Sequence, residues 1–120
     1  ALIQGKALGT LTFAAGVNAE ASGYGATAFG VNTVSGNAYG FTTGEGTQTG
    51  LDCQTVVGKY NLGTQGLFEV GCGSGEANRQ NGFAVTADGH IIIKRPDTNE
   101  YYYLSKLFDS LNAWVDTAKI

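Results

Sequence analysis

Phe13-Ala14-Ala15-Gly16 decides the fold, because this pattern returns at intervals of fourteen residues as Thr27-Ala28-Phe29-Gly30, Phe41-Thr42-Thr43-Gly44 and Thr55-Val56-Val57-Gly58. A fixed short period indicates one structural unit that stacks on itself. Fourteen residues are too few for a helix pair or a propeller blade, but they suit one coil of two short strands and two turns. The repeat therefore predicts a mainly β chain with β-roll or β-solenoid coils.

The repeat has two faces, because successive side chains of a strand point to opposite sides. The column two residues before each glycine stays small, as the interior of a narrow coil requires: Ala14, Ala28, Thr42 and Val56. The opposite face carries Phe13, Phe29 and Phe41. The 19 glycines of the chain supply no core, so this aromatic face needs a partner outside the coil. The simplest partner is another copy of the chain, and we expect an obligate homo-oligomer. A flexible Gly-rich segment is the alternative, but such segments lack repeated phenylalanines.

Charge and composition exclude several classes of function. The net charge is −3 and the only basic cluster is Lys94-Arg95, so we expect no nucleic-acid binding. No apolar run approaches a membrane span, so we expect no membrane insertion. The chain lacks an initiating Met and a signal-peptide pattern, so we expect a fragment from the C-terminal end of a longer protein. We expect Cys53 and Cys72 to be small buried hydrophobes, with a disulfide between them as the alternative.

The chain divides into three predicted parts: the repeat region at 1–60, a β-hairpin region at 61–103 and a short helix at 104–120. Within the second part, strands at 83–87 and 90–94 flank Asp88-Gly89, which predicts a hairpin with a type I′ turn. A short strand is expected at 67–70, a polar loop at 71–82, and a further strand at Tyr101-Tyr102-Tyr103.

The predicted helix begins after Ser105 as its N-cap and carries a heptad seam. The seam consists of Leu104, Phe108, Leu111, Val115 and Ala118. A helix this short is marginal alone, so the seam favours a bundle of three copies around an axis. The alternative is one amphipathic helix that packs on its own domain.

A resemblance to a known family adds to this interpretation. Asn18-Ala19-Glu20-Ala21-Ser22-Gly23, followed by Ala26-Thr27-Ala28-Phe29-Gly30, resembles the repeat of left-handed β-roll head domains in trimeric autotransporter adhesins. The same roll occurs in phage tail fibres and appendages, often before segments like Leu67-Phe68-Glu69-Val70-Gly71 and Gly82-Phe83-Ala84-Val85. The resemblance implies an intertwined homotrimer. Phe13, Phe29 and Phe41 would then lie between subunits, with Leu111 and Val115 on the axis.

The resulting functional prediction is a non-catalytic segment of a trimeric phage tail fibre or appendage, located in the virion tail and used for host attachment. A bacterial adhesin head at the cell surface is the alternative, and a polysaccharide-degrading tail spike domain is a second one. We expect no cofactor and no metal site, because His90 is the only histidine. The carboxylates available for a glycosidase pair are Glu69, Glu76, Asp88, Asp97 and Glu100.

The predicted binding residues lie in loops and at an exposed aromatic position, where a rigid scaffold presents variable chemistry. They are Arg79, Asn81 and Tyr102, with a bacterial surface glycan or cell-wall polymer as the partner. Arg79 suits a bidentate clamp on an anion, and Tyr102 suits stacking on a sugar ring. The alternatives are a local Arg79–Glu76 ion pair, and inward packing of Tyr101 and Tyr103 with Tyr102 outward.

Overall fold

A computed structural model describes the backbone of residues 4–118 and the side chains of residues 4–112. The described chain is mainly β, as predicted, and ends in the helix α1 (Leu104–Ala118). The strands, in chain order, are β1 (Lys6–Ala7), β2 (Phe13–Val17), β3 (Glu20–Ala21), β4 (Thr27–Val31), β5 (Val34–Ser35), β6 (Phe41–Thr42), β7 (Thr55–Lys59), β8 (Phe68–Cys72), β9 (Asn81–Val85), β10 (Ile91–Lys94) and β11 (Tyr101–Tyr103).

The strands form a solenoid of about five coils. One parallel sheet runs β2-β4-β6-β7-β8, and a smaller parallel sheet, β1-β3-β5, faces it across the coil. Phe13 pairs with Thr27, Thr27 with Phe41, and Phe41 with Thr55, so each step is the predicted fourteen residues. The next step, from Thr55 to Phe68, is one residue shorter. Parallel pairing therefore continues beyond residue 60, through β8.

The glycine column explains the period. Gly30 has φ of +116°, which L side chains rarely adopt, and a Cβ on it would lie 2.1 Å from the carbonyl oxygen of Gly44 in the next coil. Asparagines turn the chain at the following corner, where Asn18 and Asn32 have φ of 56° and 55°. The Nδ2 of Asn18 donates a hydrogen bond of 3.1 Å to Oδ1 of Asn32, which ties adjacent corners together.

The coil interior changes from apolar to polar along the chain. The first two coils are filled by the small buried side chains of Ala14, Ala19, Ala21, Ala26 and Ala28. Later coils bury polar side chains at the equivalent positions, among them Thr33, Ser35, Thr42, Thr47 and Asn61. The stacked coils make the chain elongated, with extents of 64 × 27 × 21 Å. Little apolar area lies inside the coils, so the small interior predicted from the repeat is confirmed.

A buried carboxylate closes the last coil. The side chain of Glu69 is fully buried and takes the interior position that Val56 occupies one coil earlier. Its Oε1 accepts hydrogen bonds from Nδ2 of Asn61 at 2.8 Å and from the backbone N of Gly63 at 2.7 Å. Its Oε2 accepts from Gln54 Nε2, Gln65 N and Gly66 N at 3.1, 2.8 and 3.3 Å. Five donors stabilise a charge that burial would otherwise penalise heavily.

Beyond β8 the large sheet becomes antiparallel through β9, β10 and β11. The predicted hairpin at Asp88-Gly89 is present, but the type I′ prediction is wrong. Type I′ needs a positive φ at both central residues, whereas only Gly89 of this pair has one, at +92°. The N of Gly89 donates to the carbonyl of Thr86 at 3.1 Å, which is typical of a three-residue loop ending in a left-handed glycine.

The short C-terminal helix is also present and begins at residue 104 as predicted, but the predicted N-cap is wrong. Helix α1 begins at Leu104, directly after β11, so Ser105 lies in the first turn and is not the N-cap. The side chains of Leu107, Phe108 and Leu111 are more than half exposed, at 56, 55 and 53%. The side chain of Val115 lies outside the described residues. Within residues 4–118, no helix has the length and apolarity needed to cross a membrane.

Candidate functional site

The outward side of the large sheet carries a continuous, uncharged and largely apolar surface, and we call it the outer face throughout. Two rows of outward side chains form it, because the strands pair in register at these positions; a register shift between Val70 and Gly71 lies beyond the pair of Val70 and Phe83. One row runs Phe13, Thr27, Phe41, Thr55, Phe68, Val85 and Ile91. The other runs Ala15, Phe29, Thr43, Val57, Val70, Phe83, Ile93 and Tyr102. Neither row contains a charged residue.

Phenylalanines alternate between the two rows over the first three coils. Phe29 lies in the second row, between Phe13 and Phe41 in the first, and the ring centroids are 5.2 and 6.0 Å apart. The other outward position on the same strand as each phenylalanine holds a smaller residue. The rings therefore interdigitate as a zigzag. Tilted rings at these distances contribute about 0.5–1.5 kcal/mol per pair beyond burial. The zigzag orders the face, yet Phe13 remains 48% exposed.

The apolar surface extends beyond the phenylalanines that the repeat indicated. Phe68, Val70 and Phe83 continue the outer face after the thirteen-residue step, and Phe68 and Phe83 form an edge-on pair at 6.3 Å. The exposed apolar side of α1 lies at the same end of the molecule, since β11 runs directly into it. Sequence periodicity missed this part, because the antiparallel strands follow no fixed repeat. The alternation of inward and outward residues within these strands was the sequence signal for this part of the outer face.

Arg79 supports the fold instead of standing free as an anion clamp. Its Nη1 donates hydrogen bonds to the carbonyls of Gly46, at 2.8 Å, and Asn61, at 3.2 Å. Its Nη2 pairs with Glu76 at 2.8 Å, and the guanidinium lies over the ring of Tyr60 at 5.6 Å. The side chain is 13% exposed. Arg79 therefore fastens the loop between β8 and β9 to two earlier coils, and its donors are engaged within the protein.

The other two predicted binding residues also have structural partners. Asn81 is fully buried, and its amide binds Leu62 N and Gln65 Oε1 at 3.0 Å each. It presents no surface to a ligand. Tyr102 is 43% exposed, and its hydroxyl donates to Oε2 of Glu100 at 2.6 Å. Because Tyr102 pairs with Ile93, it lies at the end of the outer face.

A cleft lies at the same end, along β11 and the first turn of α1, and we call it the terminal cleft. It has a volume of about 470 Å³ and is lined by Ile92, Tyr101, Tyr102, Tyr103 and Lys106. Tyr103 is exposed here, so the predicted inward packing of Tyr101 and Tyr103 holds only for half-buried Tyr101. Three consecutive tyrosines followed by a lysine one helical turn later were the sequence signal for this cleft.

The cysteines are placed differently from the expectation. Both Cys53 and Cys72 are free and exposed, so the prediction of buried hydrophobes is wrong, and they form no disulfide. Cys53 lies at a coil corner with φ of 61°, in the column of exposed Leu11 and Tyr39. Corner side chains point away from the narrow interior, which leaves no room for a thiol to be buried there.

The carboxylates are engaged in separate local contacts. Oδ1 of Asp88 accepts a hydrogen bond of 2.5 Å from the hydroxyl of Thr86, which lowers the pKa of Asp88, with a smaller contribution from His90 nearby. Glu76 pairs with Arg79, and Glu69 is enclosed by its five donors. Among the side chains described, no three His, Cys, Asp or Glu residues are grouped as metal ligands would be.

Comparisons with protein-family models, with curated proteins and with solved structures gave no significant match. The resemblance to fibre and adhesin repeats therefore depends on the residues quoted above and on the solenoid they form.

Proposed function

We propose that this chain is a rigid, non-catalytic segment of a trimeric fibre, of the kind that phage tail fibres and appendages use to reach a host surface. The observation that carries the proposal is the outer face, an uncharged surface of aromatic, aliphatic and threonine side chains that runs along an elongated solenoid. An apolar surface this long is atypical of a monomer and marks an interaction site. A fibre segment requires both features, stiffness along its length and a surface that joins it to its neighbours.

The partner that suits the outer face is a second and third copy of the same chain. Every copy carries the face over its full length, so parallel copies bury it symmetrically without a further protein. Full burial of an exposed phenylalanine contributes about 1.5–3 kcal/mol, and Phe13 is 48% exposed while Phe29 and Phe41 are half-buried, so covering all three contributes at most about 2–4 kcal/mol per chain. Phe68, Val70 and Phe83 add to this sum. Such a gain is large enough to offset part of the entropy lost on association.

The helix supports assembly of copies, and the number three comes from the resemblance to trimeric fibres. Leu107, Phe108 and Leu111 are exposed in the single chain, and a fifteen-residue helix with an uncovered apolar side is marginal in water. Three such helices at the end of three parallel solenoids cover these side chains around one axis. In this arrangement Leu111 lies on the axis, and the outer faces meet below it.

The test is sedimentation equilibrium at micromolar concentration on the parent chain and on two matched variants. The proposal predicts a mass three times the 12.4 kDa of one chain for the parent. Phe29→Ser should reduce this mass, because Phe29 touches both neighbours in the zigzag. Tyr24→Ser is the control, since Tyr24 is 50% exposed at a coil corner away from the outer face. Far-UV circular dichroism checks that each variant retains its strands. A monomeric parent would overturn the proposal.

Attachment is the second part of the proposal. The loop at 73–80 is occupied by its own hydrogen bonds, so it is better suited to bracing the last coils than to binding a receptor. The remaining surface for recognition is at the C-terminal end, where tyrosines and basic side chains are exposed. Whole-cell binding by the trimer, compared between the parent and variants at this end, measures whether attachment resides there.

A further inference from the structure

The terminal cleft has one wall on the inner side of the large sheet, formed by Ile92, Tyr101 and Tyr103, while Tyr102 belongs to the end of the outer face. Ile92 and Tyr103 are directly paired across β10 and β11, and they belong to the row that includes buried Ala84 and Glu69. In the solenoid this inner row is covered by the small sheet. The small sheet runs only from β1 to β5, so it does not cover the inner row at the hairpins. The cleft therefore opens where the interior of the solenoid ends.

This position keeps the inner wall of the terminal cleft accessible in the assembly proposed above. Copies that join through the outer face cover the side of the sheet that carries Phe83 and Ile93, while Ile92 and Tyr103 face away from it. The neighbouring cavity of about 460 Å³ that includes Ile93 and Leu107 lies on the assembly side, and it shares Tyr102 and Lys106 with the terminal cleft. The wall formed by Ile92 and Tyr103 would remain open on each copy of a trimer.

The aromatic walls of the cleft are held in place by contacts within the protein. The hydroxyl of Tyr101 accepts a hydrogen bond of 3.2 Å from the backbone N of Asn81. The ring of Tyr103 stacks on His90, with centroids 4.6 Å apart and planes 20° from parallel. One side of the Tyr103 ring is thus supported, while the residue remains 41% exposed. A supported ring with a free side is a preorganised stacking platform.

Lys106 supplies a positive charge to the same cleft. It is exposed on the first turn of α1, and the part of the chain that the structure describes offers it no ion pair. Two further cations lie at this end: Arg95 is within 3.6 Å of Glu100, and Nζ of Lys94 donates to the carbonyl of Arg95 at 3.3 Å. The volume of about 470 Å³ is within the range of small-molecule sites, about 300–1,000 Å³. Flat aromatic walls and one unpaired cation suit a sugar ring that carries an acidic group.

From this geometry we propose that the terminal cleft binds an acidic saccharide, with a sugar ring stacked on Tyr103 and its carboxylate held by Lys106. The proposal deepens the attachment role above and rests on it. It assigns recognition to the inner side of the C-terminal hairpins, away from the loop that carries Arg79.

The experiment is isothermal titration calorimetry of the parent chain with trigalacturonic acid. The fully methyl-esterified trisaccharide is the neutral probe, and inorganic tripolyphosphate is the probe for charge alone. We expect the acid to bind and both Tyr103→Ala and Lys106→Gln to raise its Kd by about tenfold or more, a loss of about 1.4 kcal/mol. The ester should bind at least about tenfold more weakly than the acid. Tyr24→Ala and Lys94→Gln are matched controls outside the cleft and should leave Kd unchanged.

Three outcomes would overturn the proposal. One is a parent chain that does not bind the acid. Another is equal binding of acid and ester, which would indicate a neutral saccharide site. The third is that the acid binds no more tightly than tripolyphosphate and that Tyr103→Ala leaves tripolyphosphate binding unchanged. That result would indicate an anion site without stacking. Sedimentation of the same samples separates the two proposals: a monomer that binds the acid refutes the trimer alone, and a trimer that fails to bind refutes the cleft alone.

Discussion

Gly30→Ala should destabilise the protein severely, because Gly30 makes the backbone contact between coils that sets their period. A Cβ at this position lies 2.1 Å from the carbonyl oxygen of Gly44, more than 1 Å inside van der Waals contact. That oxygen also accepts the hydrogen bond from Val31 N at 3.0 Å, so separation of the two coils breaks it. Alanine at φ of +116° adds about 1–3 kcal/mol of backbone strain. With the lost hydrogen bond and packing, the free energy of unfolding should fall by about 3–6 kcal/mol.

The assay is urea unfolding followed by far-UV circular dichroism at one fixed protein concentration, since assembly makes stability depend on concentration. Gly75→Ala is the matched control, because a Cβ on Gly75 meets no atom within 4 Å. Its free energy of unfolding should stay within about 0.5 kcal/mol of the parent value. If Gly30→Ala were equally benign, the coils would not be in contact at this column, and the solenoid described here would be refuted.

Three further predictions concern buried and titrating polar groups. Thr42→Val should stabilise the chain by about 1 kcal/mol, because the Thr42 hydroxyl is buried without a partner. Thr47→Val should destabilise it by a similar amount, because the Thr47 hydroxyl donates to a backbone carbonyl at 3.0 Å. Urea unfolding in which both variants lose stability would contradict the assignment. Glu69→Gln places an amide donor among donors and should cost about 2–4 kcal/mol in the same assay, and a neutral result would show that the carboxylate is not enclosed as described. The Asp88 carboxyl should titrate below its ordinary pKa of about 3.9, so its contribution to stability is present above that pH and is lost as the pH falls through the lower folded value. Thr86→Val should move the Asp88 pKa upward in an NMR titration, and an unchanged pKa would remove the hydrogen bond as its main cause.

The repeat predicted the solenoid because one physical constraint operates once in every coil. Gly30 and its equivalents contact the next coil through backbone atoms, so no other residue fits and the period is visible as a column of glycines. The small interior follows from the same geometry, since Ala28 faces a space too narrow for larger groups. Both constraints are local to the coil, which makes them legible in a single sequence.

The remaining features depend on contacts between distant parts of the chain. Arg79 binds the carbonyl of Gly46, thirty-three residues earlier, and nothing near Arg79 in sequence indicates that its donors are occupied. Asn81 is polar and follows a loop, yet the loop returns it to the interior, where it closes the last coil beside Gln65. The prediction from polarity and loop position therefore overestimated the number of residues that are free to bind a ligand. Once such partners are known, the exposed ring of Tyr103 and the unpaired charge of Lys106 become the better candidates.

The turn at Asp88-Gly89 is a second case in which the sequence pattern predicted only part of the structure. The dipeptide specifies a hairpin, but the turn type also depends on whether its side chains find partners in the loop. Thr86 binds the Asp88 carboxylate and, through its hydroxyl, accepts from the N of His90 at 2.8 Å. These bonds accompany a loop of three residues, and only Gly89 adopts the left-handed conformation.

Photo-crosslinking at position 41 tests most directly whether the outer face joins copies of the chain. Benzoylphenylalanine in place of Phe41 puts a reactive aromatic group within the outer face, at the end of the zigzag, and the same group in place of exposed Tyr39 is the control at a coil corner. We predict that irradiation at position 41 yields covalent species of up to three chains, with peptide crosslinks to residues of the outer face on another copy. Crosslinking that is absent at position 41, or no greater there than at position 39, would contradict assembly through the outer face.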